Sequence, residues 1–204
     1  MNAAVKKFLL FLFLLVILAS TYRLVGGLTL ERSKGVSLET PLDKAMPFLP
    51  ELTVVYMSIY FMWLPIVFSP DVSVEYFKDM AKATLWAFGI MYFYYLILPS
   101  SYPRPNLDEC ECWAHAPLRW LYAVDLPNNT FPSSHSAGVA ILLAASEKKL
   151  SGLSKFLYFT WGMLIIISTF AIKQHYIADT VSGVAVGYIT WFVYSGYRMQ
   201  PETS

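Results

Sequence analysis

Charge is scarce in this chain: 14% of its 204 residues are Asp, Glu, Lys or Arg, against 56% that are hydrophobic. A soluble domain of this size carries about a quarter charged residues, so the balance excludes that class and leaves a membrane protein. The 15 basic residues nearly cancel the 14 acidic ones. No basic field is left to hold nucleic acid, and there is no acidic tail. Cysteine is almost missing. Cys110 and Cys112 stand in one polar loop as C-E-C, a spacing too tight for an unstrained bridge, and two thiolates alone do not make a zinc site. Internal repeats, low-complexity tracts and a soluble domain are absent as well, which implies one membrane-embedded domain over residues 1–204.

What is present in quantity is long apolar runs. Six stand out, at about residues 8–25, 52–68, 83–98, 136–145 with its flanks, 153–171 and 176–197. A hydrocarbon core about 30 Å thick needs about 20 such residues per helical crossing, and backbone amides cannot stay unpaired in lipid. The expected fold is therefore all-α, a polytopic membrane bundle of six transmembrane helices. The first run, with Lys6 and Lys7 before it and Leu18-Ala19-Ser20 after its Leu and Phe core, also suits a signal peptide. The apolar character resumes through Leu24 and Val25, which favours an uncleaved anchor.

Lys6, Lys7, Lys78, Lys82, Lys148, Lys149, Lys155 and Arg198 fall on one side if the helices alternate. By the positive-inside rule that side, with both termini, is cytoplasmic, although Arg23, Arg32, Lys34 and Lys44 lie at or beyond the far end of the first run. The opposite, extracytoplasmic side then collects the loop 99–130 and all three histidines: His115, His135 and His175.

Two short stretches carry chemistry. In K-Q-H-Y-I-A-D-T, His175 and Asp179 are four apart at a helix start and share a face. A carboxylate that takes one imidazole proton fixes the tautomer and leaves the other nitrogen free as a nucleophile or base. The same pair also suits a polar cap on the mouth of a helix. In F-P-S-S-H-S-A-G, Pro132, Ser133 and Ser134 mark a helix start whose free N–H groups and dipole can seat a phosphate. His135, in the first turn, is placed to protonate a leaving alkoxide. It also suits a serine-capped helix with an incidental histidine. Arg104, between two prolines, offers a planar fork to phosphate oxygens or anchors at the interface.

These pieces resemble the type-2 phosphatidic acid phosphatase superfamily, whose signature is written K-x6-R-P, P-S-G-H and S-R-x5-H-x3-D. Arg104-Pro105 match the end of the first part, Pro132-Ser133-Ser134-His135 the second with Ser134 in the glycine slot, and Ser168, His175 and Asp179 the third. Ile97 stands in the lysine slot and Thr169 in the arginine slot. Those losses, and the run D-L-P-N-N-T-F-P-S-S-H, are similar to the inositol phosphorylceramide and sphingomyelin synthase branch. The resemblance covers about residues 99–187.

It implies a membrane lipid-phosphate phosphatase working through a phosphohistidine. His175 attacks phosphorus, Asp179 orients it, His135 protonates the departing oxygen, and Arg104, Ser133 and Ser134 hold the phosphate of a lipid phosphate or pyrophosphate. No cofactor or metal is required. Transfer of the phospho-headgroup to an alcohol uses the same residues and is the alternative activity; a decayed site that only binds lipid is the third reading. Lys173 or Arg119 is a candidate for the missing positive charge, and each also suits a headgroup anchor. His115 matches no signature slot and reads as a loop residue. Gly183-x-x-x-Gly187 reads as close helix packing, and Asn128-Asn129-Thr130 as an unused glycosylation pattern.

Overall fold

The computed structural model describes residues 1–107 and 113–198, so Cys110 and Cys112 lie outside the described residues. Helices account for the regular structure: α1 (Ala3–Ser33), α2 (Pro41–Ala45), α3 (Thr53–Met57), α4 (Ile59–Met62), α5 (Leu64–Phe68), α6 (Val74–Ile97), α7 (His115–Val124), α8 (Ser134–Ser146), α9 (Gly152–Ala171) and α10 (Ile177–Arg198). Among the described residues, five stretches are long and apolar enough to cross a membrane: Ala3–Ser33, Pro50–Phe68, Val74–Ile97, Gly152–Ala171 and Ile177–Gly196. The sixth apolar helix, α8, is shorter. The fold is the expected polytopic helical bundle.

The differences from the sequence expectation have physical causes. The second span is a succession of short helices, α3 to α5, rather than one rod. Pro65 near the start of α5 has no N–H to give to the preceding turn, and the chain breaks step at Ser58 and Trp63. α1 runs through Gly26 and Gly27 to Ser33, so Arg23 and Arg32 are helical residues. α6 starts at Val74, nine residues before the apolar run, because the Ser73 side chain accepts from the Tyr76 N–H at 3.1 Å and caps it. Lys78 and Lys82 are therefore in its first turns and not in a loop. The stretch expected as one outer loop contains α7, with His115 as its first residue.

α8 lies at the centre. With 13 residues it is about 20 Å long, too short for the hydrocarbon core. It is apolar on every side because protein surrounds it: Ala137, Val139, Ala140, Ile141 and Leu142 are all buried. α10 packs against it closely through Gly183 and Gly187, where an added Cβ would collide with the carbonyl oxygens of Ser133 and Ala137 respectively. α6 buries Phe77, Met80, Ala83, Ala87 and Met91 along one stripe, and α1 stacks Phe11 on Trp63.

Hydrogen bonds between distant segments define two ends. At one, Lys7 Nζ donates to the carbonyls of Ser69 and Val72 at 2.6 and 2.8 Å, and Lys149 Nζ to that of Asp71 at 3.3 Å. At the other, Ser101 N–H donates to the Val36 carbonyl and Leu49 N–H to that of Ala171. Asn128 Nδ2 donates there to the Gly26 carbonyl and to Thr29 Oγ1, at 2.8 and 2.9 Å. Asn128 is buried, which removes it as a glycosylation acceptor. All the candidate site residues sit at this second end.

Candidate active site

His135 owes its place to the start of α8. The Ser133 side chain caps that helix by accepting from the Ser136 N–H at 3.3 Å, and the Ser133 N–H donates to the Asp179 carbonyl at 2.9 Å. The first turn of α8 is thereby tied to the first turn of α10. His175 is set by the tight turn between α9 and α10. Lys173 takes a left-handed conformation with φ of 58°, and the N–H groups of Gln174 and His175 both donate to the Thr169 carbonyl at 3.1 Å.

The two imidazoles meet. Their ring centroids are 6.5 Å apart and the planes are inclined by 50°. His175 Nδ1 lies 3.0 Å from the Thr130 carbonyl oxygen and 3.7 Å from Asp179 Oδ2. A carbonyl can only accept, so Nδ1 carries the proton and Nε2 is left with its lone pair. Asp179, fully buried, accepts from the Tyr176 N–H at 2.8 Å through that same Oδ2. It caps α10 as well as facing the histidine, but the acceptor within hydrogen-bond distance of Nδ1 is the Thr130 carbonyl and not, as the sequence suggests, the Asp179 carboxylate. Thr130 was not among the sequence candidates, since a backbone acceptor has no residue signature.

His135 has its own support, which the motifs also miss. Its Nδ1 is 2.9 Å from the Tyr56 hydroxyl, and the two rings stack with centroids 4.0 Å apart. Tyr56 is buried on α3. A tyrosine inside an apolar span, in the half of the chain without signature residues, gave no signal beyond being a polar-tipped aromatic in a helix.

The other candidates are placed as follows. Ser133 and Ser134 are buried at the head of α8 beside His135. Arg104 donates from Nη1 to the Tyr122 carbonyl at 2.6 Å and from Nη2 to the Asp125 carbonyl at 2.7 Å. Its guanidinium lies over the Tyr122 ring, and Gln174 Oε1, next in sequence to His175, is 3.4 Å from Nη2. Burial pulls its pKa down from the usual arginine value, against the opposing carboxylate of Asp125. Lys173 is directed elsewhere: its ammonium donates to the carbonyls of Asp43 and Met46 at 3.1 and 2.8 Å, fastening the α2 segment. Arg119 is exposed. Thr169, in the arginine slot, is fully buried and shares a 2.9 Å hydroxyl bond with Thr180; Ser168 Oγ bonds the Ile165 carbonyl. Ile97, in the lysine slot, is 57% exposed at the end of α6 and faces the surroundings.

A cavity of about 360 Å³ opens beside His135 and Ser134. Its wall is mostly apolar, with Leu15, Leu18 and Trp63, and carries Tyr22, Arg23 and Asp125 as polar groups. Arg104 lines a second groove, of about 430 Å³, with Lys34 and Tyr102.

The PAP2 superfamily model matches residues 85–201, more than half of the chain and all of the His135, His175 and Asp179 set. The chain belongs to the PAP2 superfamily. PAP2 members are phosphatases acting on phosphoric esters. Among solved structures, the chain is similar to the first transmembrane PAP2 type phosphatidylglycerolphosphate phosphatase from Bacillus subtilis, at 16% identity over 100% of both chains with a TM-score of 0.43. No curated protein matches the sequence. Tyr22, Arg23 and Tyr56 lie outside the matched residues, so the cavity beside His135 is walled in part by chain that the family match does not cover.

Proposed function

We propose that the protein is a lipid-phosphate phosphatase that works through a phosphohistidine on His175. The observation that carries the reading is the 6.5 Å separation of two imidazoles with Nε2 of His175 free, which leaves room for one tetrahedral phosphorus between the rings. The phosphate sits at the head of α8, where free N–H groups and the helix dipole favour an anion, with Ser133, Ser134 and the remaining donors of Arg104 around it. His175 Nε2 attacks phosphorus, the ester bond breaks, and His135 gives a proton to the departing alkoxide. His135 then takes a proton from water as that water attacks phosphorus, releasing phosphate and free His175. The Thr130 carbonyl and Asp179 hold the His175 ring and support the positive charge it develops. Tyr56 holds the ring of His135 through both proton transfers, because its hydroxyl can accept from Nδ1 while Nε2 gives and regains the proton.

The site faces the extracytoplasmic side in this reading, with both termini cytoplasmic. Lys6, Lys78, Lys82, Lys148 and Lys149 lie at the opposite end of the bundle, where the positive-inside rule puts the cytoplasm. A second reading, transfer of the phosphoryl group to an alcohol, draws support from the apolar wall beside His135, which limits access of water to the intermediate.

Purified protein incubated with lipid phosphates, with and without an acceptor lipid, decides between the two. Free phosphate released without an acceptor supports hydrolysis, and product formed only with an acceptor supports transfer. His135→Ala and His175→Ala each abolish either activity; turnover surviving in both variants refutes the mechanism, and no turnover in the parent leaves a lipid-binding role.

A further inference from the structure

α7 is left over from the proposed chemistry, and it has three faces where an ordinary amphipathic helix has two. Leu118 and Leu121 are buried with Tyr56 and Ile172, and Leu52, Met57 and Leu107 pack half-buried around them. Trp113, just before the helix, and Ala116, Trp120 and Val124 within it follow at steps of three, four and four residues, so they share a second face. That face is open: Trp113 is 66% exposed, Trp120 55% and Val124 44%, with Ala116 exposed between them. His115 and Arg119, four apart, lie on a third, polar face.

The neighbours of the buried face set its level. Leu52 belongs to the turn that opens the Pro50–Phe68 stretch, and Ile172 directly follows α9, where its carbonyl accepts from the Tyr122 hydroxyl at 2.9 Å. Two membrane-crossing stretches thus meet α7 at their ends, which puts the helix at the membrane surface. Apolar side chains open to water in such a stripe are unusual, whereas tryptophan is favoured among lipid headgroups. The open face also runs on to a membrane-crossing helix, since Trp120 and Val124 share the cavity wall with Ala19, Tyr22 and Arg23 of α1. A second copy of the chain does not suit it. With 10 residues α7 is about 15 Å long, too little for the roughly 800 Å² that each partner of a stable dimer buries.

We propose that α7 is a lipid-docking helix, lying in the plane of the membrane at the histidine end of the bundle with Trp113, Ala116, Trp120 and Val124 in the leaflet and His115 and Arg119 toward water. This docking fixes the depth of the candidate site. Arg104 holds the carbonyls of Tyr122 and Asp125 at the end of α7, and Ile172 stands three residues before His175, so a helix seated among headgroups keeps both imidazoles at that layer. No step of the phosphatase reading enters it.

The test is a nitroxide scan in phosphatidylcholine vesicles. On a Cys110→Ser, Cys112→Ser background, His115→Cys, Ala116→Cys, Arg119→Cys, Trp120→Cys and Val124→Cys are labelled one at a time. Collision of the label is measured with oxygen, which concentrates in lipid, and with a water-soluble nickel chelate. At positions 116, 120 and 124 oxygen is expected to dominate, at a depth of about 5–10 Å into the headgroup boundary. At positions 115 and 119 nickel is expected to dominate. Nickel access at 116, 120 and 124 equal to that at 119 overturns the docking, and so does a depth near the bilayer centre, about 15 Å down. Protection from both reagents with spin–spin broadening overturns it in favour of a second copy. Ala116→Cys and Val124→Cys change small exposed side chains, so the result is readable even where Trp120→Cys fails to fold.

Discussion

Replacing Gly183 with alanine tests whether the closeness of α8 and α10 makes the site. A Cβ at that position falls well inside contact distance of the Ser133 carbonyl oxygen and also meets the Ser133 nitrogen and carbonyl carbon, all backbone atoms that cannot rotate away. The helices must part by on the order of 1 Å, a misplacement that costs about 100-fold in rate where reacting groups are held in line. Overpacking of this kind destabilises a core by about 1–3 kcal/mol. The same movement strains the bond from Ser133 N–H to the Asp179 carbonyl, which couples the two histidine-bearing turns. Gly89→Ala on α6 is the control, because a Cβ there meets nothing within 4 Å. Thermal unfolding in detergent and the rate of phosphate release are measured for both variants. Gly183→Ala is expected to melt lower and to lose most of its kcat, while Gly89→Ala matches the parent. A Gly183→Ala protein with parental melting and kcat would refute the argument that this contact sets the geometry.

Tyr56→Phe keeps the stacked ring and removes the hydroxyl on His135 Nδ1; loss of a hydrogen bond to a group that becomes charged, about 1.5–3 kcal/mol, predicts a kcat roughly 10- to 100-fold lower with KM little changed. A change confined to KM counts against the positioning role. Lys173→Met releases the carbonyls of Asp43 and Met46, so it is expected to lower the melting temperature while the folded protein keeps its rate within a few fold; a large loss of kcat at unchanged stability returns Lys173 to the phosphate. Burial alone pushes the Asp43 carboxyl up, but bonds from the Thr40 hydroxyl and the N–H groups of Ile177 and Thr40, with the charge of Lys173, outweigh it and hold its pKa below the usual value. A depressed folded pKa means stability fully present above the unfolded carboxylate value, about 3.9, and lost as pH falls through the folded pKa. Melting temperature measured down through that window is expected to fall less in Asp43→Asn than in the parent.

The spans were legible because lipid demands long apolar runs, and α8 was legible as apolar although its burial inside protein was not. Its neighbours, not its composition, show that it is the centre of the bundle. His135, His175 and Asp179 could be found because their spacing binds them to two helix starts. α7 could not, since only Leu118 and Leu121 form its buried stripe and Pro117 interrupts the pattern. Partners that are backbone carbonyls leave no trace in sequence: Thr130 on His175, Tyr122 and Asp125 on Arg104, Asp43 and Met46 on Lys173. The outer extension of α1 was hidden for a related reason. Gly26 looks like a helix end, but α1 runs through it; a Cβ there would come within 3.3 Å of Asn129 Nδ2 and the Leu126 side chain, so the glycine serves packing against the 126–129 segment.

The central claim is that His175 Nε2 becomes covalently bonded to phosphorus. The direct measurement is incubation of the parent protein with a lipid carrying labelled phosphate, followed by a rapid quench during turnover, denaturation and mapping of the label. The account predicts acid-labile, base-stable label on the peptide containing His175, absent from His175→Ala protein. Label that never appears on the protein while the parent releases phosphate, or label that maps to another residue, contradicts it.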